Sequence, residues 1–300
     1  MRIYSLLRLQ HTFMQMFNRN AIPSSVLAAL SADSSSVRKS ARVGSAASLI
    51  SFLVILCFAV APRCDANDKE ADRLIDQGYH LDHDGKVDEA ISCYKKAMAI
   101  EPRNDMAIFD LGNEYLKEHD YATARIYIQK AIDLNPHEAR YWDRLGVACG
   151  HLNEVDEAIR CYKKATALEP RNDMAIFDLG SACLDKHDDA TAKSYLQKAI
   201  NLNPHEARYW NNLGLACENL KDLKSAEAAF KRAVSIEPTC GRLCNLAAIY
   251  KETGRLKESR ETVLRAKSFP EAKTPEFSNE LQNDLEWLDK QLSDKKTAEH

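Results

Sequence analysis

EPRNDMAIFDLG at residues 101–112 returns unchanged at 169–180, and NPHEARYW at 135–142 returns unchanged at 203–210, both after 68 residues. A fixed period of a few tens of residues marks a stacked array, in which each unit buries its apolar face only against its neighbours. Half of that period is also visible. In each 34-residue unit an aromatic or aliphatic residue at position 4 precedes Leu and Gly at positions 7 and 8. Ala follows at 20, a large apolar residue at 24, Ala at 27 and Pro at 32. One unit carries Trp142, Leu145, Gly146, Ala158, Tyr162, Ala165 and Pro170, and another carries Trp210, Leu213, Gly214, Ala226, Phe230, Ala233 and Pro238. The units between carry Ile108, Leu111, Gly112, Ala124, Ile128, Ala131 and Pro136, and their counterparts Ile176, Leu179, Gly180, Ala192, Leu196, Ala199 and Pro204.

Positions 4, 7, 8 and 11 fall on one face of a helix, and positions 20, 24 and 27 on one face of a second, so each unit is predicted to be a helical hairpin. Gly and Ala at 8, 20 and 27 let the two backbones approach, and the proline ends the second helix. A larger side chain at Gly146 or Ala158 is expected to overpack this contact at a cost of about 1–3 kcal/mol. The segments VDEAISCYKKAMAIEPRN (87–104) and VDEAIRCYKKATALEPRN (155–172) match at 15 of 18 positions, which extends the array forward despite the weak Leu74, Gln77, Gly78 version of the first-helix pattern.

This pattern resembles the tetratricopeptide repeat. The resemblance implies an all-α fold, a right-handed solenoid of antiparallel helix hairpins closed by a C-terminal capping helix. The expected repeats run over 71–104, 105–138, 139–172, 173–206, 207–239 and a degenerate 240–273, within a domain of 67–273. Thr274 is read as the cap and Pro275 as the first residue of the sealing helix, 274–293, whose stripe is Phe277, Leu281, Leu285, Leu288 and Leu292. Residues 294–300 are read as a disordered tail. Cys149, Cys183 and Cys217 replace the usual large residue at position 11, which predicts thinner packing there.

Residues 1–66 read as an address. No charge stands between Val43 and Pro62, and LISFLVILCFAVA at 49–61 is apolar enough to enter a bilayer. Its length is near a signal-peptide core and short of the roughly 20 residues of a spanning helix. Arg38, Lys39 and Arg42 precede it, so the repeats are expected on the non-cytoplasmic side, exported or membrane-anchored. An organelle leader with two signals is the alternative.

The formal charge of −3, from 41 basic and 44 acidic residues, supplies no field for nucleic acid. Nine cysteines form no C-x-x-C pair, and several are spaced by the repeat, so they are read as structural. His80, Asp82, His83 and Asp84 lie together, but a calcium loop would need acids where His80 and Ile91 stand, and Gly85 is read as a turn. The chain holds no phosphate-cradling loop, nucleophile elbow or cofactor motif, so neither catalysis, metal nor cofactor is predicted.

The family resemblance also implies a concave groove lined by the first helices at positions 2, 5, 6, 9 and 13. The candidate groove residues are Met106, Phe109, Asp110, Asn113, Arg140, Asp143, Arg144, Met174, Phe177, Asp178, Arg208, Asn211, Asn212 and Asn245. Apolar side chains of a protein or peptide partner are expected on the Met/Phe pairs, and its acidic groups near Arg140, Arg144 and Arg208. An opposing reading packs Phe109 and Phe177 on the neighbouring repeat. The set by which chaperone-docking members of the family hold a C-terminal carboxylate is incomplete, since Phe109 stands beside Asn113 where a lysine is needed. The expected function is a protein-interaction module. The alternatives are a substrate-recruiting accessory of a separately encoded enzyme, such as a glycosyltransferase, and a purely structural scaffold.

Overall fold

A computed structural model describes residues 69–298, and every regular element among them is helical. The leader and its apolar segment 49–61 lie outside the described residues, within which no helix is long and apolar enough to cross a membrane. Helix α1 spans residues 69–83. It is followed by α2 (Val87–Ile100), α3 (Asp105–Lys117), α4 (Tyr121–Leu134), α5 (Ala139–His151), α6 (Val155–Leu168), α7 (Asp173–Asp185) and α8 (Asp189–Leu202). The series continues with α9 (Ala207–Asn219), α10 (Leu223–Ile236), α11 (Cys240–Glu252), α12 (Leu256–Ala266), a 3-10 turn (Pro270–Lys273) and α13 (Pro275–Ala298). Odd-numbered helices up to α11 are the first helices of successive hairpins.

The starts of the helices follow from their caps. The side chains of Asn104, Asp120, Asn172, Asp188, Asp222 and Thr239 each accept a backbone N–H of the first turn that no preceding carbonyl can reach. Thr274 departs from this expectation: its hydroxyl donates to the Glu271 carbonyl at 2.8 Å, and Pro275 opens α13. That helix runs on to Ala298, beyond the position 293 expected from sequence, because no Gly or Pro follows to stop it.

Within a hairpin the close approach is at position 8. A Cβ built on Gly146 would lie 2.6 Å from Cε1 of Tyr162, and one on Gly214 would lie 2.5 Å from Cε1 of Phe230. Tyr162 and Phe230 occupy the space that any side chain on those glycines would need. The turn to the second helix is also shared. Gly85, His119, Asn153, His187, Lys221 and Gly254 all have φ between 60° and 76°, at the same place in each unit. Glycine takes this left-handed conformation freely, whereas the four other residues hold it under strain.

Between hairpins the contacts alternate. The Asp105 carboxylate accepts the Tyr141 hydroxyl at 3.0 Å and the Asn135 amide at 2.9 Å. The junction 68 residues later repeats this, with Asp173 accepting Tyr209 at 2.9 Å and Asn203 at 3.1 Å. The indole N–H of Trp142 donates to the Pro136 carbonyl, as that of Trp210 does to Pro204, and so fixes the loop before each of these first helices. Cys149, Cys183 and Cys217, at position 11, are buried free thiols. Leu281, Leu285 and Leu288 of α13 are buried, and the helix packs on α12.

Candidate functional site

The first helices bring five of the sequence-derived groove residues to one cavity of about 610 Å³. Phe177, Arg208, Asn211, Asn212 and Asn245 line it together with Arg242, Cys244, Glu237, Thr239 and Gly241. Phe277 and Glu280 of α13 complete the wall. Gly241 keeps it open, since a Cβ there would meet only Phe277, at 3.8 Å. Periodicity assigns Phe277 to the sealing stripe of α13. It gives no sign of Arg242 and Glu280, whose positions follow only from how α11 and α13 meet.

A polar ladder crosses this surface. Asn245 Nδ2 donates to Asn211 Oδ1 at 3.0 Å, Asn211 Nδ2 to Asn212 Oδ1 at 3.5 Å, and Asn212 Nδ2 to Ser181 Oγ at 2.9 Å. Four half-buried side chains on α7, α9 and α11 are therefore linked in one direction. An amide has two donor hydrogens and two acceptor lone pairs, so each asparagine keeps capacity beyond these bonds. An extended backbone presents the complementary alternation of C=O and N–H groups.

The remaining candidates are distributed differently from expectation. Met106 and Met174 are exposed, at 49% and 45%. Their intended companions are not. Phe109 and Phe177 are buried, their rings 4.3 Å and 4.6 Å by centroid from Tyr141 and Tyr209 of the next hairpin. The aromatic faces are consumed in joining repeats, so the paired Met/Phe anchors do not form, although Phe177 still lines the cavity. Arg140 and Arg208 lie over these same rings, 5.9 Å and 5.6 Å from the centroids. Each also pairs with the glutamate two residues before it, Arg140 with Glu138 at 2.9 Å and Arg208 with Glu206 at 3.0 Å. These cations are thus engaged within the chain. Arg144 is exposed, with Nε 4.0 Å from an oxygen of Asp143. Asp110, Asn113 and Asp178 are half-buried, and Asp143 is buried.

Electrostatics in the groove are dominated by desolvated carboxylates. Burial pushes Asp110 up to about 6, with Glu114 and Asp82 adding to the rise and Arg140 and Lys117 opposing it. Asp178 is pushed up to about 7, first by burial and then by Asp143, against Arg144 and Arg208. Asp143 is raised by burial as well. Next to Gly85, Asp82 accepts from Lys117, which also holds the buried Glu114 at 2.9 Å, and so ties α1 to α3. Among the described residues no three His, Cys, Asp or Glu side chains converge as a metal site.

Comparison with known proteins agrees with this geometry. Models of the tetratricopeptide repeat match residues 107–138, 139–172, 175–206 and 207–240. RNA polymerase II-associated protein 3 of Homo sapiens is 31% identical over 106 residues, which is 35% of this chain and 16% of that protein. Anaphase-promoting complex subunit 6 of Arabidopsis thaliana is 29% identical over 83 residues, 28% of this chain and 15% of that one. The chain therefore spans about a sixth of the length of the curated relatives it matches. Among solved structures, Pseudomonas aeruginosa pilF superposes with a TM-score of 0.63 at 18% identity, covering 73% of this chain and 99% of its own. MamA does so with a TM-score of 0.51 at 27% identity, covering 53% and 94%. Residues 107–240 of this chain are a run of four tetratricopeptide repeats.

Proposed function

We infer that this protein binds a partner by laying an extended segment of it along the first helices, with the Asn211, Asn212 and Asn245 ladder holding the segment's backbone. The carrying observation is the continuous amide ladder from Ser181 to Asn245, which opens on a cavity large enough for several side chains. Each side-chain hydrogen bond to an extended backbone contributes about 0.5–1.5 kcal/mol, so the ladder gives sequence-tolerant adhesion. Specificity falls to Glu280, Phe177 and Phe277, beside Arg242, which Glu237 already holds at 2.9 Å. In the first 68 residues, the apolar run 49–61 supports delivery of the repeats across or onto a membrane.

The test is selection of twelve-residue peptides from a random display library on the full chain and on Asn212→Ala/Asn245→Ala. Selected peptides are expected to bind the variant about tenfold more weakly, the loss of one to two backbone hydrogen bonds. Charge reversal at Lys95 and Lys96, on α2 away from the ladder, is expected to leave them unaffected. Equal binding to the ladder variant, or no selection at all, overturns the reading. A second reading is an assembly scaffold, favoured by the similarity to a protein named as a subunit of the anaphase-promoting complex. A stable heterologous complex without any selected peptide supports that instead.

A further inference from the structure

The step between consecutive first helices is equivalent at two places in the array. Asn211 and Asn245 meet across α9 and α11, and Asp143 and Asp178 occupy the corresponding places on α5 and α7, with the one-residue shift at which the last repeat begins. At the first step an amide donates to an amide oxygen at 3.0 Å. At the second both members are carboxylates, and neither can donate to the other when ionised.

The carboxylate step lacks a donor from the chain itself. Asp143 is nine-tenths buried and its Oδ1 has no hydrogen-bond partner. Its Oδ2 lies 4.0 Å from Arg144 Nε, beyond hydrogen-bond reach. Asp178 makes no side-chain hydrogen bond or ion pair among the described residues. Of the cations that face it, Arg208 is held by Glu206 at 3.0 Å and Arg144 is the neighbour just named. Tyr162 faces both carboxylates from α6, and Glu169 adds a further negative charge near Asp143. A buried acceptor without a donor is costly to the folded chain; Oδ1 itself is closed to solvent, so a donor from outside can offset that cost only by pairing the same carboxylate through Oδ2, or by pairing the half-buried Asp178.

We propose that the Asp143–Asp178 pair is a subsite for the ammonium or guanidinium group of a lysine or arginine in the bound segment. The proposal rests on the groove reading above and adds the chemistry of one side chain of the ligand. A divalent ion fits less well, since two carboxylates supply too few ligands and Arg144 stands beside them. A basic side chain needs only one face of the pair, and a guanidinium spans both oxygens of a carboxylate or one from each. The subsite reverses the polarity expected from Arg140, Arg144 and Arg208, two of which are already engaged by glutamates. Because burial raises Asp178 to about 7, occupancy by a cation is also expected to depend on pH near neutrality.

The experiment extends the peptide selection to Asp143→Asn/Asp178→Asn, which recreates at this step the amide pair of Asn211 and Asn245. Lys or Arg is expected to be enriched at one fixed position on the wild-type chain and not on this variant. A selected Lys peptide should bind the variant about tenfold more weakly, while its Lys→Gln counterpart binds both equally. A second arm uses the wild-type chain alone. The Lys peptide is expected to bind several-fold more weakly at pH 6 than at pH 8, whereas the Gln counterpart shows no such change. Selected peptides without a basic preference, or a preference retained by the variant, overturn the cation subsite and leave the groove reading standing. Equal pH responses of the two peptides overturn it even if the variant fails to fold. Absence of any selected peptide overturns both.

Discussion

Replacing Gly214 with Ala puts a methyl carbon 2.5 Å from Cε1 and 2.6 Å from Cδ1 of Phe230, a ring that is fully buried and has nowhere to turn. Overpacking of this kind costs about 1–3 kcal/mol, and the better helix propensity of alanine returns about 1 kcal/mol. With the approach this short, Gly214→Ala is expected to destabilise by about 1–2 kcal/mol. The preceding hairpin supplies an internal control. A Cβ on Gly180 meets Leu196 Cγ at 3.0 Å, a smaller and more yielding neighbour, so Gly180→Ala is expected near neutral. Phe230→Leu alone should cost about 1 kcal/mol through lost packing. The pair Gly214→Ala/Phe230→Leu recreates the alanine-against-leucine contact of Gly180→Ala, so the two changes should offset each other by about 1–2 kcal/mol in a double-mutant cycle. Urea unfolding followed by circular dichroism measures this, with unchanged slopes confirming that the same cooperative unit is observed. Additivity within about 0.5 kcal/mol would refute the argument that these two side chains compete for one space.

The strained turns give a prediction of opposite sign: Lys221→Gly should stabilise by about 0.5–1 kcal/mol and Gly254→Ala should destabilise by about 1 kcal/mol, both read from the same unfolding curves. Tyr141→Phe removes the donor to Asp105 while leaving the tilted ring contact with Phe109, and it is expected to cost about 1 kcal/mol; in an Asp105→Ala background the same change should cost little, whereas full additivity would show that the bond contributes nothing. Asp178 rises in the folded chain from its ordinary 3.8 to about 7, so the folded state holds the proton more tightly than the unfolded one. Its contribution to stability is full below about 4 and is lost as pH rises through about 7. Thermal melts of wild type and Asp178→Asn across about pH 4.5–8 should therefore show a smaller decline toward high pH in the variant, and parallel curves would refute the assignment.

The hairpin plan is legible in the sequence because it is written in residue size. Gly146 against Tyr162 and Gly214 against Phe230 leave a small-against-large pattern that recurs with the repeat and that periodicity alone detects. The site is legible only in part, because position within a repeat fixes which way a side chain points but not what it meets. Phe109 and Phe177 point from the first helices as expected, yet the next hairpin presents Tyr141 and Tyr209 at stacking distance and takes up their faces. Arg140 and Arg208 read as free cations in the sequence because Glu138 and Glu206, two residues earlier in the chain, belong to the loop and not to the helix face. Of the turn residues with positive φ, Gly85 announces itself by its type. His119, Asn153, His187 and Lys221 adopt the same conformation without a glycine to signal it.

The Asp–Tyr–Asn junction occurs after 105–138 and again after 173–206, but the hairpin beginning at Ala139 has Ala where Asp105 stands, and Ala175 where the next tyrosine would be. The natural building block of this protein is therefore a pair of hairpins. Removing residues 139–206 would set Asp105, Phe109 and Asn135 against Tyr209, a mate identical in kind to the one they lose. Removing 139–172 alone would set them against Ala175 and leave a half-buried carboxylate without its hydroxyl. Length in such an array therefore changes with the junction intact in steps of two hairpins, and the surface presented to a partner grows or shrinks by the same quantum.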